Sequence, residues 1–173
     1  MDTHIANKKA NIVICESTEY TRKNMKEALA ELGYNNVIAM DNHLKVFDHL
    51  SAEPVDWIIC QLESNCHING LHLLRTITEN PPLKKVRISL VLDENQHHVL
   101  QAAFELGLLS YHKRPSKKEI IFSELKKLTF RYEANMWNGS ITSAEYLRNL
   151  LITQSKFKVQ IDHLEKNLIV DLL

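Results

Sequence analysis

Short apolar runs alternate along this chain with stretches in which apolar residues recur every three or four positions. Asn11-Ile12-Val13-Ile14-Cys15 is the first run. Its β-branched character is that of a strand covered on both faces. Ser17 or Thr18 stands where a helix cap is expected, and Met25, Leu29 and Leu32 form a helical stripe that Gly33 closes. Residues 36–40 read as a second strand, and Asp41 as the cap of a helix carrying Val46, Phe47 and Leu50. Pro54 breaks the chain before a third strand over residues 57–60. A polar loop over 63–67 then leads to a helix with Leu71, Leu74 and Ile77, ended by Pro81-Pro82. Residues 86–92 form a fourth strand. Asp93 or Asn95 caps a helix with Val99, Ala103 and Leu106, stopped by Gly107. Residues 108–112 form a short fifth strand, and Ser116 caps a helix carrying Ile121, Leu125 and Leu128.

Five strand–helix units with short connections predict an α/β fold with a parallel sheet covered by helices on both faces. The doubly wound order 2-1-3-4-5 fits this length best. In such a fold the functional crevice lies at the carboxyl ends of the strands, where Cys15, Glu16, Gln61, Leu92 and Arg114 would gather.

Composition narrows the function classes. The chain has 173 residues, 45% of them hydrophobic and 24% charged, as expected of a globular protein. Lys+Arg and Asp+Glu both number 21, so no bulk basicity points to nucleic acid. No apolar stretch is long enough to span a membrane and the N-terminus has no signal-like run. Three cysteines, an odd number, argue against a disulfide framework and for a cytoplasmic setting.

The order and spacing of these elements resemble the CheY-like receiver domains of bacterial response regulators, over about residues 10 to 130. Receivers carry an acidic pair after strand one, an aspartate ending strand three, a hydroxyl ending strand four and Lys-Pro after strand five. The matching stretches are Ile12-Val13-Ile14-Cys15-Glu16, Trp57-Ile58-Ile59-Cys60-Gln61, Leu90-Val91-Leu92 and Tyr111-His112-Lys113-Arg114-Pro115. Gly70 matches the family's glycine after the phosphorylation loop, Gly107 the glycine before strand five, and Pro115 a proline that is usually cis. Tyr111 falls at the family's switch aromatic, a position that also packs well.

The resemblance implies a phosphoryl-accepting aspartate, Mg²⁺ held by the acidic pair, and a lysine and hydroxyl that follow the phosphoryl group. Here Gln61 replaces the nucleophile, Cys15 one acid, Leu92 the hydroxyl and Arg114 the lysine. Four departures together predict a pseudo-receiver, with no cofactor and with Glu16 left as a weak Mg²⁺ candidate. Two alternatives stay open: a phosphorylatable receiver rescued by Glu63, and a redox or small-molecule sensor using Cys15 in the altered pocket. Gln61 is also placed to hydrogen-bond Arg114 and so imitate one state of the switch.

Other constellations are weaker. Cys15 and Cys60 would end neighbouring strands, where buried structural thiols are commoner than redox pairs. Cys66-His67 with His72 fits no standard zinc spacing. His97-His98 reads as a surface pair. The pattern predicts a tail (1–10), a receiver-like domain (11–132) and a helical extension (133–173). In the extension, Leu147, Leu150, Gln154, Phe157, Ile161, Leu164 and Leu168 follow a 3-and-4 spacing. Either a coiled-coil arm forming a homodimer, or a hairpin like one tetratricopeptide repeat at the front of a longer protein, would produce it. Both make it a protein-interaction surface. The expected partners are proteins, a histidine kinase or another signalling protein among them, with neither nucleic acid nor membrane.

Overall fold

The computed structural model describes residues 9–138 apart from Asn65, Pro115 and Ser116, and for residues 135–138 only the course of the helix. Met1–Ala134 forms one compact unit. Among the described residues the strands and α-helices run in order β1 (Ile12–Cys15), α1 (Glu19–Glu31), β2 (Val37–Met40), α2 (His43–Ala52), β3 (Trp57–Gln61), α3 (Gly70–Glu79), β4 (Arg87–Leu92), α4 (Leu100–Glu105), β5 (Ser110–Lys113) and α5 (Lys118–Asn138). The sheet is wholly parallel in the order β2-β1-β3-β4-β5, as the pattern predicts. One row of the register runs Met40, Cys15, Cys60, Leu90 and Tyr111 across all five strands.

Helix ends depart from the expected caps, because several Asx and hydroxyl residues compete at each one. Thr18 stands at the N-cap of α1 but its side chain makes no capping bond; Glu16 Oε1 accepts from the Thr18 N–H instead, at 2.9 Å. The cap of α2 is Asn42, which accepts from the Lys45 N–H at 3.1 Å, while Asp41 pairs with the Lys45 ammonium. Asn69 caps α3 by accepting from the His72 N–H, and its own N–H donates back to His72 Nδ1. The expected single helix after β4 is two pieces, a 3-10 segment over Glu94–Val99 and the short α4. Gly33 and Gly107 close α1 and α4 with φ of 94° and 90°, a conformation in which only glycine avoids a Cβ clash. Along α3 the buried apolar residues are Leu73, Leu74 and Ile77, so Leu73 takes the place expected for Leu71.

The core lies on both faces of the sheet. On the α5 side, Trp57 stacks on Tyr132 with ring centroids 4.7 Å apart. Its indole N–H donates to Ser89 Oγ at 2.9 Å, and Ser89 in turn meets Ser110 Oγ at 2.7 Å. The two serines are completely buried, and the indole makes that tolerable by supplying a donor. On the opposite side Tyr111 packs edge-on against Phe104 of α4 and His97 of the 3-10 segment. His97 therefore has a packing role that the sequence reading did not give it.

His112, two residues beyond Ser110 on β5, is buried. Its Nδ1 lies 2.7 Å from the Lys113 carbonyl oxygen, so that nitrogen carries the proton, and Nε2 has no hydrogen-bond partner among the described residues. Burial pushes its pKa down to about 4, with the Glu124 carboxylate opposing the shift and Arg131 and Lys127 adding to it. A folded-state pKa below the unfolded value means that the unfolded chain binds the extra proton. Stability should therefore be complete above pH ~6.5 and fall as pH drops towards ~4. The expected loss is on the order of 3 kcal/mol over that window, measured by urea unfolding, and His112→Leu should remove that share of the pH dependence.

Candidate functional site

A crevice opens at the carboxyl ends of β1 and β3 because the crossover from β1 runs to one side, to β2, and the crossover from β3 to the other, to β4. Cys15 ends β1, Gln61 ends β3 and Leu92 ends β4, while Glu16 and Arg114 are the residues immediately after β1 and β5. The Arg114 N–H donates to the Leu92 carbonyl at 2.8 Å, which brings the arginine over the end of β4. Cys15, Glu16, Gln61 and Leu92 are all at most 1% exposed, whereas 30% of the Arg114 side chain reaches solvent.

A buried amide needs partners, and Gln61 finds two for its oxygen. Arg114 Nη2 donates to Gln61 Oε1 at 2.7 Å, and Ser17 Oγ donates to the same oxygen at 3.1 Å. Because a guanidinium only donates, the amide must present its oxygen there, which leaves Nε2 without a partner among the described residues. Arg114 also lies 3.6 Å from Glu16 Oε2 and 3.4 Å from Asp93 Oδ1, through Nη2 and Nε respectively. One guanidinium is thus bracketed by two carboxylates and one amide oxygen. Arg22 fixes the near side by donating to the Glu16 and Ser17 carbonyls.

The loop after β3 is held from below. His43, in the first turn of α2 and fully buried, contacts the Gln61 carbonyl through Nε2 at 2.8 Å and Ser64 Oγ through Nδ1 at 2.7 Å. No sequence signal marked His43, since a lone histidine at a helix start has many uses. Gly70 opens α3 against this loop. Its N–H donates to the Leu62 carbonyl at 2.6 Å, and a Cβ there would meet Leu90 Cδ2 at 2.8 Å and the Gln61 carbonyl at 3.1 Å. Glu63 is exposed. Gly107 needs its positive φ rather than space. Pro115 and the helical positions Leu147, Leu150, Phe157, Ile161, Leu164 and Leu168 lie outside the described residues.

The donor set suits Mg²⁺ poorly. That ion takes hard oxygen ligands, yet Cys15 offers a thiol that burial, with Cys60 and Cys66 nearby, pushes well above its ordinary pKa. Glu16 uses one carboxylate oxygen on the Thr18 N–H, and its other faces the Arg114 guanidinium, whose charge opposes a second cation.

Residues 12–126 match the family model described as the response regulator receiver domain. The chain belongs to the receiver-domain family. The chemotaxis protein CheY-3 of Vibrio cholerae is 23% identical over 124 residues, 72% of this chain and 95% of that protein. CheY1 of Helicobacter pylori is 18% identical over 66% of this chain and 93% of its own. Among solved structures, the phosphorylated cyanobacterial phytochrome response regulator RcpA superposes with a TM-score of 0.63 at 17% identity, covering 78% of this chain and 97% of that one. The receiver domain of a signal transduction histidine kinase from Syntrophus aciditrophicus gives 0.61 at 20% identity, over 76% and 94%. The receiver fold is therefore shared.

Two outcomes test this geometry. Arg114→Met should destabilise the fold by about 1–2 kcal/mol in urea unfolding, because it strips Gln61 Oε1 and Glu16 Oε2 of their cation, and the cost should shrink when Gln61→Leu is made as well. Gly70→Ala should cost roughly 1–3 kcal/mol in the same measurement, since Leu90 and the loop must move aside.

Proposed function

We propose that this receiver domain is a signalling module that works by protein–protein contact and does not carry a phosphoryl group. The observation that supports this most strongly is Gln61, at the position of the family's phosphoryl-accepting aspartate, bonded through its side-chain oxygen to Arg114. A carboxylate attacks phosphorus with a full negative charge. An amide oxygen has no such charge, and phosphorylating it would create a cation beside a guanidinium. The poor Mg²⁺ donor set removes the ion that would neutralise the incoming donor.

The same bond ties the end of β3 to the segment after β5 without an exchangeable ligand. Tyr111, held between His97 and Phe104, and Leu92, with no hydroxyl to move, leave that face in one arrangement. Receivers transmit by presenting such surfaces to histidine kinases and other signalling proteins, and a fixed surface serves as a docking element. Among the described residues no helix is long and apolar enough to cross a membrane. Exposure of Glu63 weighs against its replacing the nucleophile, and burial of Cys15 weighs against a sensor built on that thiol.

Incubation with a small phosphodonor such as phosphoramidate and Mg²⁺, followed by intact-mass measurement, should show no phosphoryl adduct. A stoichiometric adduct on the wild-type chain would sink this reading, and its loss in Glu63→Gln would assign it to the loop carboxylate.

A further inference from the structure

The sheet ends on one side at β2, and the outer edge of that strand is open. β1 pairs with β2 in parallel, with Ile12 opposite Val37 and Ile14 opposite Ala39. The Ile12 N–H donates to the Asn36 carbonyl at 2.9 Å, and the Glu16 N–H to the Met40 carbonyl at 3.0 Å. Asn36, Ile38 and Met40 therefore turn their backbone groups towards β1, and Val37 and Ala39 turn theirs away from the sheet. We propose that this edge joins a second copy of the chain, β2 against β2 in antiparallel order about a twofold axis at Ile38, so that two sheets become one.

Edge strands usually carry a device that blocks such pairing: a charge, a proline or a bulge. Val37-Ile38-Ala39-Met40 has none of these. The strand at the opposite edge, β5, ends on the exposed Lys113. Side chains along β2 alternate between the faces of the sheet. Val37 is buried on one face, while on the other Asn36 and Ile38 are exposed and Met40 is half-buried. Ile38 is 45% exposed, a large β-branched side chain left uncovered on a strand.

Register decides whether the edge fits itself. With Ile38 on the axis, Val37 of each copy stands opposite Ala39 of the other. Both residues have outward-facing backbone groups, so each such pair exchanges two N–H···O bonds. Ile38 then takes the non-hydrogen-bonded position, where Cα atoms approach to about 4.5 Å and side chains are closest. It packs on its own counterpart, with the half-buried Met40 of each copy on the diagonal. A slip of one residue would set outward-facing groups against groups already spent on β1. A slip of two would carry Val37 or Ala39 past the end of the facing strand.

The two ends of the edge carry complementary charge. Asp41 follows β2, its side chain 45% exposed beside Lys45. At the other end Asn36 Nδ2 donates to the Lys9 carbonyl at 3.2 Å, so the exposed Lys9 stands beside the start of β2. Antiparallel pairing continues the register to Asn35 opposite Asp41. The carboxylate of each copy thus meets an amide and an ammonium of the other rather than its like. Over the whole chain Lys+Arg and Asp+Glu both number 21, so no net charge holds two copies apart. Pairing at this edge is independent of whether the pocket takes a phosphoryl group.

Sedimentation equilibrium of the full chain across roughly 1 to 200 μM should show a reversible monomer–dimer equilibrium. Ile38→Lys, at a half-exposed edge position compatible with the fold, sets two ammonium groups against each other on the axis. It should raise the dissociation constant at least about tenfold, with the far-UV circular dichroism unchanged. Ile38→Glu should do the same alone. An equimolar mixture of the two variants should associate again as a heterodimer, because an axis at Ile38 brings the two new side chains together. A chain that stays monomeric throughout this range overturns the proposal. So does a dimer that Ile38→Lys leaves intact, which places the contact elsewhere in the chain. Failure of the mixed variants to associate, where the wild type does, overturns the pairing about Ile38.

Discussion

The central strand β3 is closed on every side, and the placement of everything else in the site follows from that. All five of its residues are buried, between β1 and β4 along its edges and between helices on its faces. On one face Trp57 must satisfy its indole, and it does so through Ser89 while stacking on Tyr132. Gln61 is the one polar side chain on the strand, and it sits at the end where the sheet opens into loops. Burying an unpaired amide is costly. Arg114 and Ser17 therefore converge on its oxygen, and His43 on its carbonyl. The start of α1, the start of α2 and the segment after β5 are all anchored to one residue.

Charge in the pocket is rearranged rather than removed. A receiver with two acids and an aspartate needs a divalent cation to keep three carboxylates together. In this chain Glu16 and Asp93 lie beside a cation that the chain itself supplies. Arg114 reaches both carboxylates and the amide oxygen because a planar guanidinium presents several donors at once, which a lysine ammonium does less well. The two carboxylates are thus neutralised from within the chain.

β1, β3 and β4 were legible because a strand covered on both faces is mostly apolar, whereas β5 carries Ser110, His112 and Lys113. Their order followed from short connections and the handedness of parallel crossovers. Helix phase and helix ends were harder. Leu71, Leu73 and Leu74 are all leucines, and only the approach of α3 to the sheet, where Gly70 lies against Leu90, decides which of them is buried. Asp41 and Asn42 are both good caps, and the backbone chose the second. The segment after β4 reads as one helix, yet Glu94–Val99 winds as a 3-10 helix, with Gln96 bonding back to Asp93 and His97 turned onto Tyr111.

The sequence by itself determined the alternation of strands and helices and the receiver fold that follows from it, because these depend on residue type and spacing along the chain. The tertiary structure alone decided how the side chains at the strand ends meet one another. That Gln61 bonds Arg114 in fact, that Asp93 and Ser17 join them, and that His43 reaches Ser64 all depend on distances between residues 21 to 53 positions apart. Such distances are set by packing across the sheet, and no local pattern in the chain encodes them.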